Sequence, residues 1–272
     1  MPFRTVPVLM YHHVSDSPGM ITLTPGDFES QVRWLAESGY STLDAAGFAG
    51  FLAGESVPAK SVLLTFDDGF LDNWVHAHPV LQRYGLRATL FIITGQIGDG
   101  PVRRHAGQGG ELPVTPEHRA CEAAVQAGRA DDVMLRWSEI EAMQAAGTFD
   151  FHSHTHTHTR WDRQDADAAL KRAHLAEDLE RSRTTLRERL GSVSSHLCWP
   201  QGYFDDDYVA EARAQGFTHL YTTDPVGQNL PGTDPGHIHR ITAKERPAPW
   251  LRRRMFLARH RVLGPLYDKV RY

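Results

Sequence analysis

SVLLTFDDGFLDNWVHAHPVLQRYGLRATLFIIT, residues 61–94, decides the fold. SVLLTF and RATLFIIT are short, nearly continuous apolar runs rich in β-formers, as expected of strands buried on both faces. Between them, residues 71–85 read as a helix that ends at Gly85. Strand, helix and strand in that order make a parallel βα unit.

The same rhythm runs outward in both directions. PVLMYHHV (7–14) precedes a helical stretch at 27–39, and YSTLD (40–44) leads into AAGFAGFLAG (45–54). Downstream, FDFHSH (149–154) is followed by a long helical pattern at 167–191. HLCWP (196–200), a helix at 206–216, THLYTT (218–223) and HIHRIT (237–242) follow. About eight strands alternating with helices in 272 residues predict one α/β barrel. The rhythm breaks at 95–136, a Gly- and Pro-rich segment far longer than the usual connection of about 4–6 residues. It reads as an insertion on the loop face with one short helix near 116–127, and its expected use is to shape a substrate groove.

Composition is that of an ordinary globular protein, 41% hydrophobic and 23% charged with a net charge of −4. This argues against a bulk nucleic-acid binder. Cys121 and Cys198 stand in unlike contexts and suggest neither a disulfide framework nor a thiolate metal site. The apolar stretch near the N-terminus is too short for a signal peptide, and no run of about 18 apolar residues occurs. A cytoplasmic location is the expectation. The tail at about 247–272 carries six arginines and a lysine among Trp, Met, Phe and Leu. Such a basic amphipathic segment fits a helix packed on the barrel, or peripheral contact with the inner membrane.

Chemistry concentrates where strands end. SVLLTF stops at Asp67-Asp68, and two adjacent carboxylates there are costly unless a metal or a catalytic duty stabilises them. FDFHSHTHTHTRW (149–161) places His152, His154, His156 and His158 at every second position, and offers two i, i+4 pairs. Locally the pattern names no ligand. His12 follows the first strand, and a Trp199-Pro200-Gln201-Gly202 turn follows HLC. In a βα barrel these ends share one face. One carboxylate with two imidazoles is a standard protein set for a hydrolytic divalent metal.

TFDDGF (65–70), SHTHTH (153–158), WPQGY (199–203) and the opening VPVLMYHHV together resemble the polysaccharide deacetylase family, carbohydrate esterase family 4. In style the chain is similar to the poly-N-acetylglucosamine deacetylases. The resemblance covers about residues 6–94 and 137–242, and is absent from the insertion. It implies a distorted, incomplete (β/α) barrel and metal-dependent removal of N-acetyl groups from amino sugars. It implies Asp67 as general base and Asp68 as metal ligand. Ser153 before the first histidine and Trp161 after the second select His154 and His158 over His152 and His156. His156 is then a spacer, and its loss should be mild.

The family's third motif implies an oxyanion donor in the backbone N–H of Gln201. Where that motif starts with an arginine beside the base, this sequence has Cys198. The general acid is expected to be His12, with His239 in reserve, because HIHRI matches the family's late motif poorly and His237 is not favoured. Zinc is the expected metal, and cobalt, nickel and iron suit the same ligands. The implied partner is an acetylated amino-sugar glycan or its lipid-linked or lipopolysaccharide precursor. Two other readings stand beside it: hydrolysis of a non-sugar amide or cyclic imide on the same fold, and a non-catalytic metal- or glycan-binding module. Trp199 is a candidate to stack on a sugar, and Asp224 a turn former within reach of the base's supports.

Overall fold

The computed structural model describes residues 5–260 and 262–271. Its strands are β1 (Val8–Tyr11), β2 (His13–Val14), β3 (Thr22–Leu23), β4 (Ser41–Leu43), β5 (Ser61–Phe66), β6 (Ala88–Ile92), β7 (Phe149–Ser153), β8 (His196–Cys198), β9 (His219–Tyr221) and β10 (Ile241–Thr242). The helices are α1 (Pro25–Glu37), α2 (Ala45–Leu52), α3 (His78–Tyr84), α4 (His118–Gln126), α5 (Trp137–Ala145), α6 (Trp161–Gln164), α7 (Ala168–Leu190), α8 (Asp206–Ala214), α9 (Ala248–Arg259) and α10 (Leu263–Arg271).

The main sheet runs β10-β1-β5-β6-β7-β8-β9, with β4 beside the first half of β5, and every pairing in it is parallel. It curls into an incomplete barrel. Segment 238–242 nearly closes the gap, since Ile238 bridges to Tyr221 of β9 while Ile241 pairs with Leu9 of β1. Alternate strand residues feed two apolar layers. Leu9, Tyr11, Leu64, Phe66, Leu90 and Ile92 pack outward on Phe28, Val32 and Leu35 of α1 and on neighbouring helices. Val8, Leu63, Phe91, Cys198 and Tyr221 form a separate inner cluster with Phe48, Phe51 and Leu52 of α2.

Local chemistry sets the helix ends. Thr24 caps α1 by accepting from the Asp27 N–H at 3.1 Å, with Pro25 in the first turn. Asp167 caps α7 in the same way, and α7 ends at Gly191 in the left-handed conformation.

Three expected elements differ. The helix expected at 71–85 begins as a π-helical segment, Asn73–Ala77, before α3. Pro79 has no N–H to return to residue 75, and the wider turn accommodates it. The strand expected at 7–14 breaks at His12, after which β2 leaves the barrel to pair with β3. HIHRIT gives only Ile241–Thr242 as strand. The insertion contains the predicted short helix, α4. It is anchored by Arg103, whose guanidinium grips the buried Glu139 of α5 through two 2.7 Å bonds.

Candidate active site

Register brings the expected residues together. Tyr11 pairs with Phe66, so the next residues, His12 and Asp67, emerge side by side. Ile92 pairs with Ser153, which puts His154 at the same edge two strands over. His12, Asp67, Asp68, His154, His158, Trp199 and Gln201 all line one cavity of about 180 Å³.

Asp68 Oδ1 lies 3.3 Å from His154 Nε2 and 3.5 Å from His158 Nε2. These separations match neighbouring ligands that each sit about 2.0–2.2 Å from a shared ion. His154 Nδ1 donates to the Cys198 carbonyl at 2.8 Å, which fixes the ring with Nε2 on the side of Asp68, where it could coordinate an ion. The residues therefore fit a divalent metal. Burial works against a charged His154, yet the fields of Cys198 and Asp68 outweigh it and raise its pKa well above the usual range. The same field attracts a cation. His158, more strongly affected by burial than by Asp68, is pushed down to about 4 and stays neutral.

The other two histidines of the run are engaged elsewhere. His152 lies on β7, with Nε2 2.6 Å from Asp150 and Nδ1 against Ser194. His156 Nδ1 is 3.0 Å from the Thr94 hydroxyl. The loop between them is held from α7, where Asp178 accepts from the His156 and Thr157 N–H groups and from Trp161 Nε1. Trp161, the residue that selects the register, is thus tied to the ligand loop through Asp178.

Asp67 is almost fully buried, yet it lines the cavity. Arg240 grips it side-on, Nη1 to Oδ1 at 2.7 Å and Nη2 to Oδ2 at 2.8 Å. Burial raises the Asp67 pKa, but Arg240 outweighs it and holds the carboxyl below its ordinary value. Arg240 Nη2 also lies 3.0 Å from Cys198 Sγ. The small thiol leaves room for a guanidinium arriving from the far end of the chain, so the arginine expected at position 198 is supplied from position 240. Sequence reading missed this. The only signal is one arginine in a histidine-rich segment 173 residues from its partner.

His12 Nε2 is 3.7 Å from Asp67 Oδ2. Burial lowers its pKa against the pull of Asp67 and Asp68. His13 faces away, bonded through Nδ1 to Asp72 at 2.5 Å and through Nε2 to His118 at 3.1 Å. His118 belongs to α4, and with Glu122 it lines both this cavity and an adjoining one of about 150 Å³. The insertion is therefore a wall of the cleft. His239 does not line this cavity; its ring turns to Asp224, 3.3 Å away. Trp199 is fully buried against Phe204 and Tyr208, so it supports the cavity wall and presents no open face for a sugar to stack on.

Backbone strain gathers here. Among the described residues, five non-glycine residues have positive φ, Ile21, Asp68, Thr155, His158 and Gln201, and four of them line the cavity. Each such residue costs about 1–3 kcal/mol and persists only where its surroundings enforce it. Gly202, also left-handed, packs so closely on Thr223 that a Cβ would lie 2.0 Å from its Oγ1. No larger residue fits that turn.

Comparison with known proteins agrees with this geometry. A family model described as polysaccharide deacetylase matches residues 54–220. The Bacillus subtilis (strain 168) protein YxkH is 42% identical over 94 residues, 34% of this chain, and the match spans 33% of that relative's length. The poly-beta-1,6-N-acetyl-D-glucosamine N-deacetylase of Staphylococcus aureus (strain MSSA476) is 22% identical over 222 residues, 81% of this chain and 67% of that protein. Among solved structures, IcaB from Ammonifex degensii has a TM-score of 0.70 at 25% identity, covering 94% of this chain and 98% of that one. With its aspartate pair, its two loop histidines and its curled parallel sheet, the chain belongs to the polysaccharide deacetylase family.

Proposed function

We propose that the chain is a metal-dependent de-N-acetylase acting on N-acetylhexosamine residues of a bacterial surface glycan or of its lipid-linked or lipopolysaccharide precursor. The observation that carries this reading is the buried Asp67, held by Arg240 next to the ligand set of Asp68, His154 and His158. A site built only to hold a metal has no use for a second, oriented carboxylate. That also weighs against a non-catalytic module, the reading supported by the missing arginine at Cys198 and the poor late motif.

A divalent cation, zinc foremost, held by these three side chains would supply Lewis acidity to the acetamide carbonyl and to the attacking water. Asp67 takes the water's proton as oxygen attacks the carbonyl carbon. The developing oxyanion faces the turn that carries the Gln201 N–H. His12, neutral at rest, lies 3.7 Å from Asp67 and is placed to receive that proton and pass it to the departing nitrogen. The C–N bond breaks, and acetate and a free amino sugar result.

The C-terminal segment exposes Phe256 of α9, Val262 between the two helices and Leu266 of α10, and α9 also exposes Arg252 and Arg253. Apolar side chains next to cations suit an anionic lipid surface, which would bring the site to a lipid-linked substrate and keep the protein peripheral to the inner membrane. Among the described residues no helix is long and apolar enough to cross a membrane.

The test is acetate release from N-acetylglucosamine and N-acetylgalactosamine oligomers, run beside a panel of ureides and cyclic imides. Wild-type protein should release acetate only with metal and leave the panel untouched, and Asp68→Ala and His154→Ala should each abolish release. Full activity in both variants, or turnover confined to the imides, would overturn the reading.

A further inference from the structure

A second cluster repeats the geometry of the first. Asp224, in the turn after β9, places Oδ2 3.0 Å from His237 Nε2 and 3.3 Å from His239 Nδ1. The His237 and His239 rings are 4.9 Å apart at 57°, and the His154 and His158 rings are 4.9 Å apart at 55°. In both clusters one carboxylate oxygen faces two imidazole nitrogens at the separations that ligands about 2.0–2.2 Å from one ion would have.

Three features distinguish this cluster from a chance ion pair. His239 Nδ1 is buried and makes no hydrogen bond, although Asp224 Oδ2 is close by. Buried polar atoms in folded proteins are nearly always paired, so this one calls for a partner. The supporting backbone is already fixed. Asn229 bonds both the N–H and the carbonyl of His239, and Asp224 Oδ1 accepts from the Val226 N–H at 2.8 Å, leaving Oδ2 to face the rings. Gly227 makes room for the imidazole, since a Cβ there would lie 2.4 Å from His239 Nε2. His237 and Asp224 are each more than a third exposed, which opens the cluster to ions from solution.

We infer that Asp224, His237 and His239 form a second divalent-metal site, of the zinc class, distinct from the ligand set of Asp68, His154 and His158. Two imidazoles and a carboxylate suit zinc and its neighbours. Its place in the chain gives it a purpose. Arg240 follows His239 directly, and the Arg240 N–H donates to the Asp224 carbonyl at 3.0 Å. An ion joining the two ends of this loop clamps the segment that delivers the guanidinium to Asp67. The site positions Arg240 and touches no reacting atom.

The experiment is zinc titration of the metal-stripped full chain, with bound metal counted per protein. Wild type should take two equivalents. His237→Ala should take one, and Asp68→Asn/His154→Ala should also take one. In the latter double variant, zinc should slow hydrogen exchange at the Arg240 amide about tenfold. If the wild type binds one equivalent and loses it in the double variant, or if His237→Ala still binds two, the inference fails. If the wild type binds one equivalent that survives in the double variant and is lost in His237→Ala, this site stands and the Asp68 site fails. Should His237→Ala not fold, the double variant decides alone: one equivalent with a protected Arg240 amide supports the site, and none overturns it.

Discussion

Arg240 shows most clearly how much of this site depends on single side chains. It is fully buried, and both ends of its guanidinium are spent on Asp67. Arg240→Met leaves a buried carboxylate without its counter-charge, which should cost about 3–5 kcal/mol of stability. It should also lower kcat about a hundredfold or more, because the base is no longer aimed. The pH profile separates the two effects. Asp67 must be ionised to accept a proton, and Arg240 now holds its pKa below the ordinary value. Removing Arg240 raises that pKa, so the acid limb of kcat/KM should move to higher pH, with Arg240→Lys in between. The histidine run makes a second comparison at this scale. His158→Ala should lose bound zinc, whereas His152→Ala should keep it and lose stability, because His152 serves a partly buried pair with Asp150. Metal analysis beside thermal unfolding checks both. The aspartate pair was legible because two carboxylates cap an apolar strand. Arg240 was not, because nothing in HIHRIT says that its arginine turns inward and crosses to β5.

At the scale of elements, strands and most helices followed from apolar runs and their punctuation, while breaks within elements did not. His12 reaches the cleft because β1 stops there, and β2 turns off to pair with β3. That break depends on partners outside the run of residues 7–14. The helix α4 was legible as a helix, but its place along the cleft follows from anchors such as Arg103 on Glu139, which join distant segments. The adjacent strands β7, β8 and β9 carry a polar row in which the buried His196 stacks on the half-buried His219 at 4.5 Å and lies 5.1 Å from His152. Burial, with those neighbouring rings, pushes the His196 pKa well below its usual 6.5. In the unfolded chain His196 takes up a proton below about pH 6.5, and in the folded chain it does not. The unfolded state therefore binds more protons, and His196 makes stability fall as pH falls through that range. His13, raised by Asp72 despite its burial, contributes with the opposite sign. Comparing His196→Gln with wild type isolates the effect: the unfolding midpoint of the variant should depend less steeply on pH between about 6.5 and 5. An unchanged slope would remove His196 from this account.

For the whole molecule, the barrel puts every strand end on one face, and this is why motifs scattered from residue 12 to residue 240 converge. The fold class was readable from periodicity and length, and the convergence followed from the fold. Long-range closure was not readable, because segment 238–242 is held by one bridge to β9 and two residues beside β1. The C-terminal hairpin carries a prediction at this scale. The protein should sediment with vesicles containing anionic phosphatidylglycerol and not with neutral phosphatidylcholine vesicles, and Phe256→Glu/Leu266→Glu should abolish that binding. Equal sedimentation with both vesicles would remove the electrostatic half of the argument. The central claim is that one strand end supplies both a metal ligand and a separate base. The most direct measurement is to load Asp67→Asn with zinc and record bound metal and acetate release from N-acetylglucosamine oligomers on the same sample. The predicted result is wild-type metal at the Asp68, His154 and His158 site with acetate release lowered at least about a hundredfold; release near the wild-type rate would contradict it.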